Sequence, residues 1–88
     1  MELYILTYPW PDTLEYGQNS FNWEKFSNSL CIKSECSNLI NLFPDFKKIK
    51  NNNNNWLYKI YIDGDLHITH FGHKIIAKKI INKVFLNE

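Results

Sequence analysis

Asp65 and His67 are the residues of this sequence whose types and spacing best suit catalysis. A carboxylate that accepts a hydrogen bond from one ring nitrogen of a histidine fixes its tautomer, and the other nitrogen can then take a proton from a serine hydroxyl. Two side chains that are two positions apart on one irregular loop can point into the same cleft. The pair therefore predicts the orienting acid, Asp65, and the general base, His67, of a Ser-His-Asp site.

The histidines suggest a second chemistry. His67, His70 and His73 follow one another at a spacing of three, and Asp63 or Asp65 adds a carboxylate, so nitrogen and oxygen ligands for zinc are present. Only His70 and His73 are expected to share a helix face, which favours the Asp-His interpretation. A third alternative, a non-catalytic module that folds only against a partner, predicts the same pattern. We expect no cofactor for the leading interpretation.

Two cysteines, Cys31 and Cys36, leave three interpretations open. They are five positions apart, which suits a disulfide, half of a metal site, or two ordinary buried thiols. A zinc ribbon would need a second cysteine pair, which this sequence lacks.

Composition limits the function classes. The 88 residues are 44% hydrophobic and 16% aromatic, which predicts one small folded domain rather than disorder. A net charge of +1 provides no field that would select nucleic acid or an anionic membrane. No apolar run approaches the roughly 18 residues that a membrane span needs. The first residues lack the positive segment of a signal peptide, and the compartment stays open.

Two strands and a helix between them are predicted in the first half of the chain. Residues 3–8 are an apolar, β-branched and aromatic run that is stopped by proline, as in a strand buried on both faces. Ser20 is the predicted cap of a helix whose apolar residues recur at helical spacing. Residues 37–43, ended by Pro44, read as a second strand. Strand, helix and strand in this order predict a parallel βαβ crossover.

The second half contains the segments that must position the Asp-His pair. The asparagine tract at residues 51–55 predicts a surface loop, because asparagine competes for local backbone hydrogen bonds. Residues 56–62 read as a strand or an irregular segment. Thr69 is a good N-cap, and the apolar stripe that follows predicts a helix over residues 70–85 that packs on a sheet.

The run Gly-Asp-Leu-His-Ile-Thr-His-Phe-Gly-His over residues 64–73 resembles the C-terminal signature of the SGNH (GDSL-type) hydrolase family. In that family an Asp and a His shortly before the last helix complete a catalytic triad. The Tyr-Pro-Trp-Pro run at residues 8–11 and the Ile-Asn-Leu-Phe-Pro run at residues 40–44 are similar to features of one bacterial branch, as are Trp23 and the cysteine pair. The likeness spans nearly the whole chain.

The resemblance implies a flavodoxin-like α/β fold and cleavage of acetyl, lipid or sugar esters, with His67 as base and Asp65 as acid. The commoner spacing of the family is Asp-x-x-His, which Gly64 does not satisfy, so Asp63 is the second candidate for the acid. Trp10 is expected either to line an acyl or sugar pocket or to pack as an ordinary aromatic.

The family's Gly-Asp-Ser nucleophile, oxyanion-hole glycine and Gly-x-Asn-Asp motif are not found in this sequence. We therefore expect residues 1–88 to be the C-terminal portion of one such domain, a partial fold with two parallel strands and flanking helices that is inactive alone. The first strand would lack a neighbour on one side, which predicts self-association through an exposed strand edge.

Overall fold

The computed structural model describes residues 2–62, 64 and 67–86 of the chain. It is a mixed α/β structure that is 60% helical. Strand β1 is Tyr4–Thr7, and strand β2 is Asn38–Asn41. The two strands pair in parallel with Tyr4 opposite Asn38 and Thr7 opposite Asn41. The predicted parallel pair is therefore confirmed, and within the described residues the sheet has these two strands.

Two helices connect the strands. Helix α1 is Pro11–Tyr16, where a proline at the first helical position suits a helix start because its missing N–H would have no partner there. Helix α2 is Trp23–Ser34, and it packs against both strands. Its cap is Asn22, whose side chain accepts from the Lys25 N–H at 2.8 Å, so the prediction of Ser20 as the cap was wrong.

Cys31 and Cys36 form a disulfide at the end of α2, with their Cα atoms 4.8 Å apart. The bond joins the last turns of α2 to the segment that enters β2. Between them Glu35 adopts the left-handed conformation, at φ 55°, that commonly ends a helix. Of the three interpretations of this pair, the structure supports the disulfide.

Two helices occupy segments for which the sequence predicted other structure. Helix α3 is Phe43–Asn52, so the second strand ends earlier than predicted and the first asparagines of the tract are helical. Helix α4 is Trp56–Ile60, in a segment that was predicted to be a strand or irregular. Only the turn at residues 53–55 keeps the predicted loop character.

The last helix was predicted correctly. Helix α5 is His70–Ile80, and it continues as a π-helical turn over Ile81–Phe85 that packs near β2. Lys79 of α5 pairs with Asp45 in the first turn of α3 at 3.1 Å.

The hydrophobic core lies beyond the carboxyl ends of the strands, between the short helices and the start of α5. It consists of buried residues from several elements: Leu14, Leu42, Phe46, Ile60, Tyr61 and Ile68. Much of the apolar surface of β1 and α2, in contrast, is not covered.

Candidate functional site at the carboxyl edge of the sheet

The loop that carries the predicted Asp-His pair is closed by a short antiparallel bridge. Tyr61 pairs with Ile68 across the loop. The Ile62 N–H donates to the His67 carbonyl at 2.9 Å, and the Thr69 N–H donates to the Ile60 carbonyl at 2.8 Å. The backbone of His67 is thus held at a defined place, immediately before helix α5.

Thr69 fixes the start of α5 beneath this loop. Its hydroxyl accepts from the Gly72 N–H at 3.1 Å, which confirms the predicted N-cap, and it donates to the Lys59 carbonyl at 2.6 Å. One side chain therefore joins the end of α4 to the first turn of α5.

Gly72 allows the first turn of α5 to lie directly on the core. A Cβ at this position would clash with the Ile68 side chain and would lie 3.0 Å from the Ile60 carbonyl oxygen. Because no larger residue fits without movement, the close approach of α5 to the bridge depends on glycine here.

Tyr61 connects the bridge to the end of strand β1. Its hydroxyl donates to the Pro9 carbonyl at 2.5 Å, two residues beyond the last residue of β1. The ring is 2% exposed and stands edge-on to Phe46, with centroids 6.4 Å apart. Burial, and to a lesser degree the nearby Tyr8 phenol, raises the pKa of Tyr61 well above its ordinary value. The segment before His67 is therefore anchored at the carboxyl edge of the parallel strands, where open α/β sheets commonly bind ligands.

The predicted catalytic pair is His67 with Asp65. His67 is exposed. Asp65, and Asp63 as the alternative acid, lie outside the described residues, so the geometry of the pair stays a prediction.

The three-histidine alternative finds no support in the described part of the chain. His70 and His73 are exposed on the first turn of α5. No group of three or more His, Cys, Asp or Glu side chains that could hold a metal ion exists among residues 2–62, 64 and 67–86. A site that used Asp63 or Asp65 lies outside this range.

A small open groove adjoins the end of β1. It has a volume of about 190 Å³ and is lined by Leu6, Thr7, Tyr8, Trp10 and Trp23. Trp10 is 55% exposed, so it lines this groove and is not a core aromatic. The apolar walls suit an acyl chain or the face of a sugar ring.

The serines do not lie in the residues that directly follow the two strands. Ser27, Ser29 and Ser34 are on α2, and Ser37 precedes β2 at the opposite edge of the sheet. The residues that follow β1 and β2 at the carboxyl edge are aromatic, proline or aliphatic, up to Trp10 and Pro44. Ser20 is exposed in the bend between α1 and α2. None of the described serines follows a strand on a Gly-flanked strand-to-helix turn, which is where a serine nucleophile of this kind is expected.

Sequence reasoning did not identify Tyr61 as part of the site. Its partner, Pro9, is 52 residues away in the sequence, and no local pattern links the two. The one available signal was a tyrosine within an apolar segment, which often buries its ring and satisfies its hydroxyl.

Comparisons with protein-family profiles, with curated proteins and with solved structures find no match. A functional interpretation of this chain therefore depends on its own residues and geometry. Among the described helices, none is long and apolar enough to cross a membrane.

Proposed function

We propose that this chain supplies the Asp-His part of an SGNH-type ester hydrolase site within a partial flavodoxin-like fold. His67 is the general base, and Asp65 is the carboxylate that orients it. The observation that supports the proposal is the hydrogen bond that the Tyr61 hydroxyl donates to the Pro9 carbonyl. This bond, with the Tyr61–Ile68 bridge, holds the His67 loop at the carboxyl edge of two parallel strands.

The chemistry divides between this chain and a second segment. A serine alcohol is nearly inert until a base takes its proton, and a neutral imidazole is well suited to that step near neutral pH. Since none of the described serines lies on a Gly-flanked strand-to-helix turn, we propose that the nucleophile comes from a polypeptide segment that carries a Gly-Asp-Ser turn. The oxyanion donors, usually the largest single catalytic contribution, must come from that segment as well.

The proposed substrate class comes from the resemblance to SGNH hydrolases, and the groove beside β1 is consistent with it. Its lining is apolar and aromatic, with Trp10 and Trp23 exposed on its walls. An ester of an acetyl group, a lipid or a sugar fits such walls, because each presents a small or flat apolar surface beside the scissile bond.

The tautomer of His67 tests the proposal without any need for activity. A carboxylate that accepts from Nδ1–H holds the proton on that nitrogen, whereas a free imidazole exchanges between both tautomers. We expect long-range ¹H–¹⁵N spectra, recorded well above the ordinary imidazole pKa of about 6.5, to show His67 mainly as the Nδ1–H form. Asp65→Asn should redistribute it toward a mixture.

The other two histidines and the Asp63→Asn variant provide the controls for this experiment. His70 and His73 should keep their signals in the Asp65→Asn variant, and Asp63→Asn should leave the His67 tautomer unchanged. If Asp63→Asn alone changes it, the acid is Asp63 and the hydrolase proposal stands with that residue. If neither substitution changes the His67 tautomer, the Asp-His pair does not exist and the proposal fails.

A further inference from the structure

Strand β1 has an outer edge that is not paired within the described residues. The Leu3 carbonyl accepts from the Ser37 N–H at 2.6 Å, and the Thr7 carbonyl accepts from the Leu42 N–H at 2.9 Å. Because backbone groups alternate along an extended strand, odd-numbered residues here face β2 and the N–H and C=O groups of Tyr4 and Leu6 face the other side. These groups form a template for a further strand.

An apolar surface runs along this same edge. On the strand side Leu6 is 40% exposed and Trp10 is 55% exposed. On α2 the rings of Trp23 and Phe26 are edge-to-face, 6.2 Å apart. The ring of Phe21, just before the helix, is tilted against Trp23 with centroids 4.5 Å apart. The groove that contains both Leu6 and Trp23 joins the two sides. We call the exposed apolar side chains of β1, α2 and the residues beside them the apolar band; it comprises Leu3, Leu6, Tyr8, Trp10, Phe21, Trp23, Phe26 and Leu30.

The area of the molecule indicates how much surface is left uncovered. The chain exposes 6412 Å², whereas a folded monomer of 10.5 kDa exposes about 5,400 Å². Its radius of gyration is 13.6 Å, against about 12 Å for a compact domain of this length. The excess of roughly 1,000 Å² is spread over the whole molecule, and the band is one part of it; a partner in a stable interface buries about 800 Å².

We propose that a second copy of this chain covers the apolar band. A two-fold axis beside β1 pairs the two β1 strands in antiparallel fashion through their Tyr4 and Leu6 backbone groups. The two sheets become one four-stranded sheet, with both α2 helices on the same face and their aromatic clusters in contact. Such an interface uses the same surface on both copies.

The charge of the band favours a second copy as the occupant. None of its eight residues is charged, so the band itself brings no like charges together when two copies meet. A heterologous partner of opposite charge has nothing to recognise there. The dimer does not depend on the proposed hydrolase function, although a nucleophile-bearing strand that joined the sheet beside β1 would use the same edge and exclude the second copy.

The oligomeric state of the full chain tests the inference. Sedimentation velocity over a range of concentrations should show a reversible dimer. Phe26→Lys places a charge in the centre of the band and should raise the dissociation constant about tenfold or more, because central aromatic residues dominate interface energies. Ile32→Lys is the matched control: Ile32 is also on α2 but is not part of the band, is 69% exposed, and its change should leave the dimer intact.

Amide exchange identifies the surface even if a variant folds poorly. In the wild-type chain the Tyr4 and Leu6 amides should become protected as concentration rises, while the Ile5 and Thr7 amides, which face β2, should be protected throughout. A wild-type chain that stays monomeric at all concentrations overturns the inference. So does a dimer in which Phe26→Lys has no effect and the Tyr4 and Leu6 amides exchange equally at every concentration.

Discussion

At the scale of single residues, Tyr61 holds the candidate site together through one hydroxyl group. Its donor bond to Pro9 is buried and joins the bridge directly to the segment that follows β1. We expect Tyr61→Phe to lower the free energy of unfolding by about 1–3 kcal/mol, because the Pro9 carbonyl loses its partner in a buried place. Urea denaturation measures the change, and Tyr58→Phe, at a ring that is 61% exposed, is the control and should have little effect.

The same phenol makes stability depend on pH. Burial raises the pKa of Tyr61 in the folded chain above its value of about 10 in the unfolded chain. Above pH ~10 the unfolded state loses its proton first, so the stabilising contribution is complete below that pH and falls as pH rises toward the folded pKa. Tyr61→Phe should make the fall of the unfolding free energy above pH ~10 shallower, and an unchanged slope there would contradict the burial of this hydroxyl.

At Gly72 the direction of the stability change on substitution by alanine tests the packing of α5. In an exposed helix position, changing glycine to alanine stabilises by about 1 kcal/mol. At Gly72 the added Cβ meets the Ile68 side chain and the Ile60 carbonyl, so we expect Gly72→Ala to destabilise by about 1–3 kcal/mol instead. Thermal and urea unfolding measure it, with Lys74→Ala on the exposed side of the same helix as the control. A stabilised Gly72→Ala variant would show that α5 does not pack closely on the bridge.

Local sequence chemistry predicted one part of the site and not the other. Thr69 was identified as the cap of α5 because capping requires only a hydroxyl and an N–H three residues later, both visible in the sequence. The Tyr61 bond and the clash at Gly72 depend on residues that the fold brings together from distant positions. No window of the sequence contains them.

At the scale of elements, the short helices explain the errors in prediction. Pro44 was interpreted as the end of a strand, but it occupies the first turn of α3, where a proline is equally favourable. Phe43 and Phe46 of that helix are fully buried. Their spacing of three residues is typical of a helix, but the lysines and asparagines that follow made the helical pattern difficult to recognise. In α4, β-branched and aromatic residues favoured a strand, and tertiary packing of Ile60 overrode that preference.

The disulfide acts at the level of elements because it ties the end of α2 to the start of β2. Closing a loop this short lowers the entropy of the unfolded chain enough to contribute about 2 kcal/mol. Reduction of Cys31–Cys36 should therefore destabilise the chain by about that amount, measured by urea unfolding with and without a phosphine reductant. A Cys31→Ala, Cys36→Ala variant should match the reduced wild type and be insensitive to reductant. Equal stability of oxidised and reduced wild type would contradict this role.

At the scale of the whole molecule, stability and exposure are unevenly distributed. The core gathers α1, α3, α4 and the start of α5 beyond the carboxyl ends of the strands, and so it fixes the loop of His67. The sheet itself has two strands in the described residues, and α2 covers it from one side while leaving the apolar band open. The predicted pair of parallel strands could be derived from apolar runs and prolines. The location of the core could not, because three of its helices were not foreseen.

This distribution leads to an expectation for the activity of the whole chain. His67 has a defined backbone position, but the described serines are on α2, in the bend before α2, or before β2, and none follows a strand on a Gly-flanked turn. Catalysis by a triad requires a serine within hydrogen-bond reach of the base. We therefore expect the 88-residue chain to show no labelling by a fluorophosphonate probe and no His67-dependent hydrolysis of p-nitrophenyl acetate. His67→Ala and wild type should be indistinguishable in both assays, whereas stoichiometric labelling of one serine in the wild type that His67→Ala abolishes would show that the chain completes the triad from its own residues.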